Sequence, residues 1–289
     1  MSKILIVADP EDSCFATPRG LGLAAALKQE ADIVGFVSAP LKNLKVSAAQ
    51  QAKVKKRLLK EREKTLEARV RKHRKRGQKV SISVQWAKDP VQWINKKCAG
   101  GSYLGVVKTG RANGALVGSS GDWELLRECR APVLLVAEKK WHRTKPVLAA
   151  LDMASKSSRK RALNLKVLSA ARDLAAALQV PLEIITAIEV PTLLTDLDLV
   201  DPATYAKEAK REMQPQIKKM AATTEIAAST FKTKRGPVEK VITSQAAKVR
   251  AQIVVMGTIG RTGVKARLLG NTAEKVLEHL HTDVLAIKP

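Results

Sequence analysis

The chain has 289 residues, 45% of them hydrophobic, with 52 Lys and Arg against 27 Asp and Glu for a formal net charge of +25. That length suits two domains of ordinary size, and no run of 18 apolar residues is present to span a membrane. The opening MSKILIVADP lacks the regions of a secretion signal, and three cysteines without a CxxC pair imply neither a disulfide framework nor a zinc site, so a cytoplasmic protein is expected.

KILIVAD, a β-branched run ending at Asp9, reads as the first strand, and ADIVGFVSA as the second. Between Lys53 and Arg76 the segment KVKKRLLKEREKTLEARVRKHRKR holds 13 of the basic residues. Lys, Arg, Glu, Leu and Ala dominate it, and Val54, Leu58, Leu59, Leu66 and Val70 supply a narrow apolar stripe, which predicts a helix. Its charge either attracts a polyanion such as nucleic acid in a salt-dependent way or is a solvated face without a partner. VSISVQWA, DPVQWINKKC, SYLGVVK, GDWELLREC and APVLLVAE continue the alternation of strand and helix, and KKWHRTK reads as a linker. Trp86, Trp93, Trp123 and Trp141 fall in or just after this half, either packing its core or lining an apolar pocket.

The order then recurs. VLAALD ends at Asp152, 143 positions after Asp9. A helix RKRALNLKVLSAARDLAAALQ follows, with Leu165, Leu168, Leu174 and Leu178 on one face, then the strand LEIITAIEV. Asp201 and Pro202 open a longer helix as cap and first-turn residue. IAASTFK, GPVEKVITSQAAKVR, AQIVVMG, TAEKVLEHL and VLAIK complete the set. Each half is a βα alternation, which predicts two tandem α/β domains, residues 1–138 and 145–289, each an open parallel five-stranded sheet flanked by helices in the Rossmann-like manner. In such sheets ligands bind beyond the carboxyl ends of strands where the strand order reverses.

The stretch MGTIGRTGVKARLLGNTAEKV, Met256 to Val276, carries Gly257, Gly260, Gly263 and Gly270 between a strand and a helix. Glycines at such a junction let backbone amides approach a ligand, and a helix N-terminus behind them favours an anion. Arg261 and Arg267 add charge for phosphate oxygens. The other reading is a helix start, with Asn271 as N-cap and Glu274 three residues on. Neither a Walker A sequence nor GxGxxG is present.

With its G-x2-G-x9-G spacing, this stretch resembles the C-terminal signature of the universal stress protein family, and the repeated layout resembles its tandem members. The resemblance implies that Asp152 faces an adenosine, that Ile188 lies near the base, and that Met256, Gly257, Gly260 and Gly270 bring the backbone around phosphates. Asn271 stands where the family has Ser or Thr, with Thr272 one step on. ATP, with Mg alongside it, is the implied ligand. Pairing of the domains through their last strands, VLLVA and VLAIK, is implied too, and a homodimer is a further expectation. In the first half, Lys108, Thr109 and Ala112 align with Met256, Gly257 and Gly260, so that domain is expected to lack the site, with Ser119 and Ser120 as loop or cap residues. No GxSxG, HExxH or other catalytic motif appears and no base for hydrolysis stands out, so ATP turnover is expected to be weak at most. A regulatory stress-response role is expected. The alternative is a binding protein that has lost ATP and uses an apolar pocket or the basic surface for lipid-like or polyanionic ligands.

Overall fold

A computed structural model describes residues 2–10, 15–43, 46–110, 116, 117, 119–139, 141, 144–191, 193, 196–258 and 269–289. The chain divides into two compact units, the first built from residues 1–111 and 119–139, the second from 112–118 and 140–289.

In the first unit the strands are β1 (Lys3–Ala8), β2 (Glu30–Val37), β3 (Val80–Trp86), β4 (Tyr103–Thr109) and β5 (Val133–Val136), in spatial order β3-β2-β1-β4-β5. All their pairings are parallel, with Ile6 opposite both Ile33 and Val107. A central parallel strand is covered on both faces, which is why β1 reads as an unbroken apolar run, and Leu5, Ile6 and Ile33 are fully buried. The helices are α1 (Ala16–Ala26), α2 (Ala48–His73), α3 (Pro90–Cys98) and α4 (Ser120–Glu128).

The second unit has β6 (Val147–Ala150), β7 (Leu182–Ile188), β8 (Phe231–Arg235), β9 (Ile253–Gly257) and β10 (Asp283–Ile287), in the order β8-β7-β6-β9-β10 and again parallel. Its helices are α5 (Ser158–Leu178), α6 (Pro202–Thr224), α7 (Val238–Val249) and α8 (Asn271–His279). Asp201 caps α6 through a 2.7 Å bond from the Thr204 amide, with Pro202 at the first helical position, as its sequence predicts. Among the described residues no helix is long and apolar enough to cross a membrane.

Several details depart from the sequence expectations. The stretch ATPRGLGLAAA forms α1, an element with two glycines and no side-chain cap from its own N-cap residue, Phe15, which propensity does not announce. Gly20 is required there by packing, because a Cβ would lie 2.6 Å from the Ile6 side chain. The buried face of α5 runs through Leu163, Val167, Leu168, Ala171 and Leu174, while Leu165 and Leu178 are half-buried. In α2 only Arg62, Leu66, Arg69 and Val70 are buried, Leu58 and Leu59 are half-buried, and Val54 is exposed. The four tryptophans are half-buried, and Trp93 meets Phe36 edge-on at 5.4 Å. Cys98 and Cys129 are buried and form no disulfide, and a hydrogen bond with Cys129, together with burial, pushes the Cys98 thiol up.

Candidate functional site

In the second unit β6 pairs with β7 on one side and β9 on the other, so the strand order reverses at β6. Ala150 lies opposite Met256 in the register. The chain leaving β6 at Asp152 and the end of β9 at Gly257 therefore open on one crevice, and a cleft of about 430 Å³ lies there. Its wall brings together Asp152, Met256, Gly257, Gly270 and Thr272, five of the nine residues expected from the sequence.

The floor of the cleft is the start of α8. The helix begins one residue earlier than the Asn271 cap reading requires: Gly270 is the N-cap, in extended conformation, and its carbonyl accepts the Glu274 amide at 3.0 Å. Asn271 is thus the first helical residue, which removes the Asn271–Glu274 capping arrangement. The N-cap residue, a glycine, offers no side chain to cap this end. A helix leaves its first amides without intrahelical partners, and here Gly270, Thr272 and Ala273 border the cleft. Amides and macrodipole together make the end of the cleft favourable to an anion.

Asp152 is held from two directions. Its amide donates to Asn164 Oδ1 at 3.1 Å, the Asn164 amide nitrogen returns a bond to its carbonyl at 2.7 Å, and Lys160 Nζ lies 2.9 Å from its carboxylate. The Lys160–Asp152 pair is about half exposed, so it contributes roughly 0–1 kcal/mol and opens readily. Lys160 and Asn164 both line the cleft and were missed at the sequence level; the signal available was their place on α5, within twelve residues of Asp152.

Gly257 turns out to have a packing reason. A Cβ there would lie 2.5 Å from Leu163 Cδ2 and 2.8 Å from Cγ. The missing side chain thus admits Leu163 of α5, which also forms part of the wall. Ile188 is 5% exposed and does not border the cleft; Ala187 and Glu189 do, as alternation along a strand requires of its neighbours. Gly260, Arg261 and Arg267 lie outside the described residues. A second cleft of about 640 Å³ lies between α5 and α6, with Leu165, Met213 and Met220 in its wall and Lys156, Arg161 and Lys219 beside them.

The matching junction of the first unit is filled from within. Lys108, at the Met256 position, places Nζ 2.5 Å from the fully buried Asp122 carboxylate in the first turn of α4, and also bonds the Thr109 carbonyl at 3.0 Å. Ser119 caps that helix, its Oγ accepting the Asp122 amide at 3.1 Å while the Asp122 carboxylate accepts the Ser119 amide. Thr109, at the Gly257 position, accepts the Ala16 amide at 3.1 Å and so caps α1. At the end of β1, Arg62 bonds the carbonyls of Ala8, Asp9 and Pro10, and Arg69 bonds that of Asp9 at 2.9 Å. Two arginines of the basic helix are therefore structural.

The fold and the cleft at its switch point define an α/β protein of the doubly wound class, with a helix N-terminus bordering the cleft in the second unit. Residues 144–288 match the Universal stress protein family. The chain is 32% identical over 219 residues to Universal stress protein E of Salmonella typhi, a match covering 74% of this chain and 70% of that one. It is 31% identical over 219 residues to Universal stress protein E of Escherichia coli K12, covering 74% and 69%. Its structure is similar to that of a functionally unknown protein from Pseudomonas aeruginosa PAO1, with a TM-score of 0.72, 25% identity and coverage of 100% of this chain and 93% of that one. A universal stress protein from Archaeoglobus fulgidus shares the fold at a TM-score of 0.65 and 20% identity, over 99% and 98% of the two chains. The chain belongs to the universal stress protein family.

Proposed function

We propose that the second unit binds an adenine nucleotide, ATP, in the cleft between β6, β9 and α8, and that this binding serves a regulatory role in the stress response. One observation carries the reading: the first turn of α8 borders the cleft at Gly270, Thr272 and Ala273, with a glycine and so no capping side chain at its N-cap, a setting that favours phosphate oxygens. Thr272 adds a hydroxyl, and Lys160 brings a cation to the lining. The volume, about 430 Å³, falls within the range of small-molecule sites. Asp152 also lines the cleft, where a ribose hydroxyl would compete with Lys160 for its carboxylate. Mg would arrive with the nucleotide and be held chiefly by its phosphates; among the described residues no group of three or more His, Cys, Asp or Glu is placed to hold a metal. The role is one of binding, with at most weak hydrolysis.

The test is mass spectrometry of ligand released from freshly purified protein, followed by titration with ATP of the native chain and of Thr272→Glu. Thr272 is exposed and in the first turn of α8, so a glutamate there suits the helix dipole while placing a carboxylate where phosphates would lie. The expected result is recovery of ATP or AMP, and at least a tenfold loss of affinity in the variant with no fall in melting temperature. Titration without heat or saturation for the native chain, or equal affinity for both proteins, contradicts the proposal.

A further inference from the structure

The basic helix α2 divides sharply between its two faces. The arginines at 62 and 69, with Leu66 and Val70, turn into the first unit. On the opposite side lie Lys53, Arg57, Lys60, Lys64 and Arg71, all exposed. Their spacing of i, i+4, i+7, i+11 and i+18 confines them to an arc of roughly 60° on a helix with 3.6 residues per turn, and the rise per residue makes the stripe about 27 Å long. The nearest acidic residue, Glu67, lies about 20° beyond one edge of that arc on the same geometry. Arg57 is tied to Glu61 at 2.8 Å, whereas among the described residues Lys53, Lys60, Lys64 and Arg71 make no ion pair. Surface lysines are usually neutralised by neighbouring carboxylates on a helix. Four of the five charges are thus aligned, solvent-facing and without an ion pair among the described residues.

We propose that this outward face of α2 binds the phosphate backbone of duplex DNA without sequence selectivity. The chemistry of the helix separates DNA from other polyanions. Leu66 and Val70 are spent on the interior of the unit, so the exposed face has no apolar side on which to enter a bilayer. No aromatic residue lies between Ala48 and His73, which removes the stacking platform that single strands use. A straight helix fits the major groove of B-DNA, whereas the narrow major groove of duplex RNA does not admit one. Three of the five stripe residues are lysines, flexible point charges that suit phosphate oxygens better than the fixed pattern of base edges. This inference stands apart from the nucleotide cleft and survives its failure.

The experiment is fluorescence anisotropy of a labelled 20-base-pair duplex of arbitrary sequence with the full chain, between 50 and 200 mM KCl. Five phosphate contacts give an expected slope of log affinity against log salt of about −4 to −5. Lys53→Gln with Lys60→Gln and Lys64→Gln keeps good helix formers at exposed positions, so its circular dichroism is unchanged, and it should weaken binding at least tenfold and lower the slope by about 3. A control triple change on α6, Lys207→Gln with Lys210→Gln and Lys218→Gln, should leave both quantities near the native values. Absence of binding at 50 mM, a flat salt response, equal losses from the two triple variants, tighter binding to the single strand of the same length, or preference for phosphatidylglycerol vesicles would each overturn the proposal.

Discussion

The two strand-to-helix junctions, after β4 in the first unit and after β9 in the second, solve one electrostatic problem in opposite ways. Each presents the N-terminus of a helix beside a switch point, and an N-terminus calls for negative charge and hydrogen-bond acceptors. The first unit carries its own acceptors: Ser119 caps α4, and the Asp122 carboxylate in the first turn is neutralised by Lys108. The second unit replaces Lys108 with Met256 and the capping serine with Gly270, and its helix end opens on a cleft. Where one unit keeps a resident anion, the other leaves room for one that arrives from solution.

The largest expected effect breaks the first junction. Lys108→Met keeps the length of the side chain but takes the cation away from a carboxylate that is fully buried. Removing one partner of such a pair should lower the stability of the first unit by about 3 kcal/mol, read as a shift of its transition in urea denaturation. An unchanged transition would mean that the pair is not what fills this junction.

A smaller effect is expected at the second junction. Gly257→Ala drives a methyl group into Leu163 and should cost about 1–3 kcal/mol through overpacking. Leu163→Ala added to it should recover part of that loss by making space, at the expense of its own buried contacts. If Gly257→Ala is neutral in stability yet weakens ATP binding, the glycine serves ligand approach and not packing, and the contrast with Thr109 becomes one of function alone.

The smallest effect concerns the caps. Ser119→Ala should cost about 1 kcal/mol, since it removes the acceptor of the Asp122 amide. Gly270→Ser in the second unit should raise stability by only a few tenths of a kcal/mol while weakening ATP, because the new hydroxyl would compete for the same amides. Thermal denaturation of each variant with and without ATP separates the two terms.

The alternation of strands and helices was largely legible because buried parallel strands such as KILIVA and IVVM are apolar without interruption, and because Asp201 and Pro202 mark a helix start in their own sequence. The α1 helix was not, since its place depends on contact between Gly20 and Ile6, which no local pattern reveals. At the candidate site, the glycine spacing pointed to the β9–α8 junction, and Asp152, Met256, Gly257, Gly270 and Thr272 share one cleft there. What stayed hidden depends on tertiary distance. Leu163 meets Gly257 across 94 positions of chain, Arg62 reaches Asp9 across 53, and both relations exist only once the sheet has formed. Charged residues were read as solvent-facing, and Arg62 and Arg69 escape that rule because backbone carbonyls at the end of β1 satisfy them.

Isothermal titration calorimetry with ATP addresses the contrast between the two junctions most directly. An open helix end in one unit and a self-filled one in the other require a single nucleotide per chain, lost in Thr272→Glu and retained in Ser119→Ala. Two nucleotides per chain, none, or one that is indifferent to Thr272→Glu would contradict it.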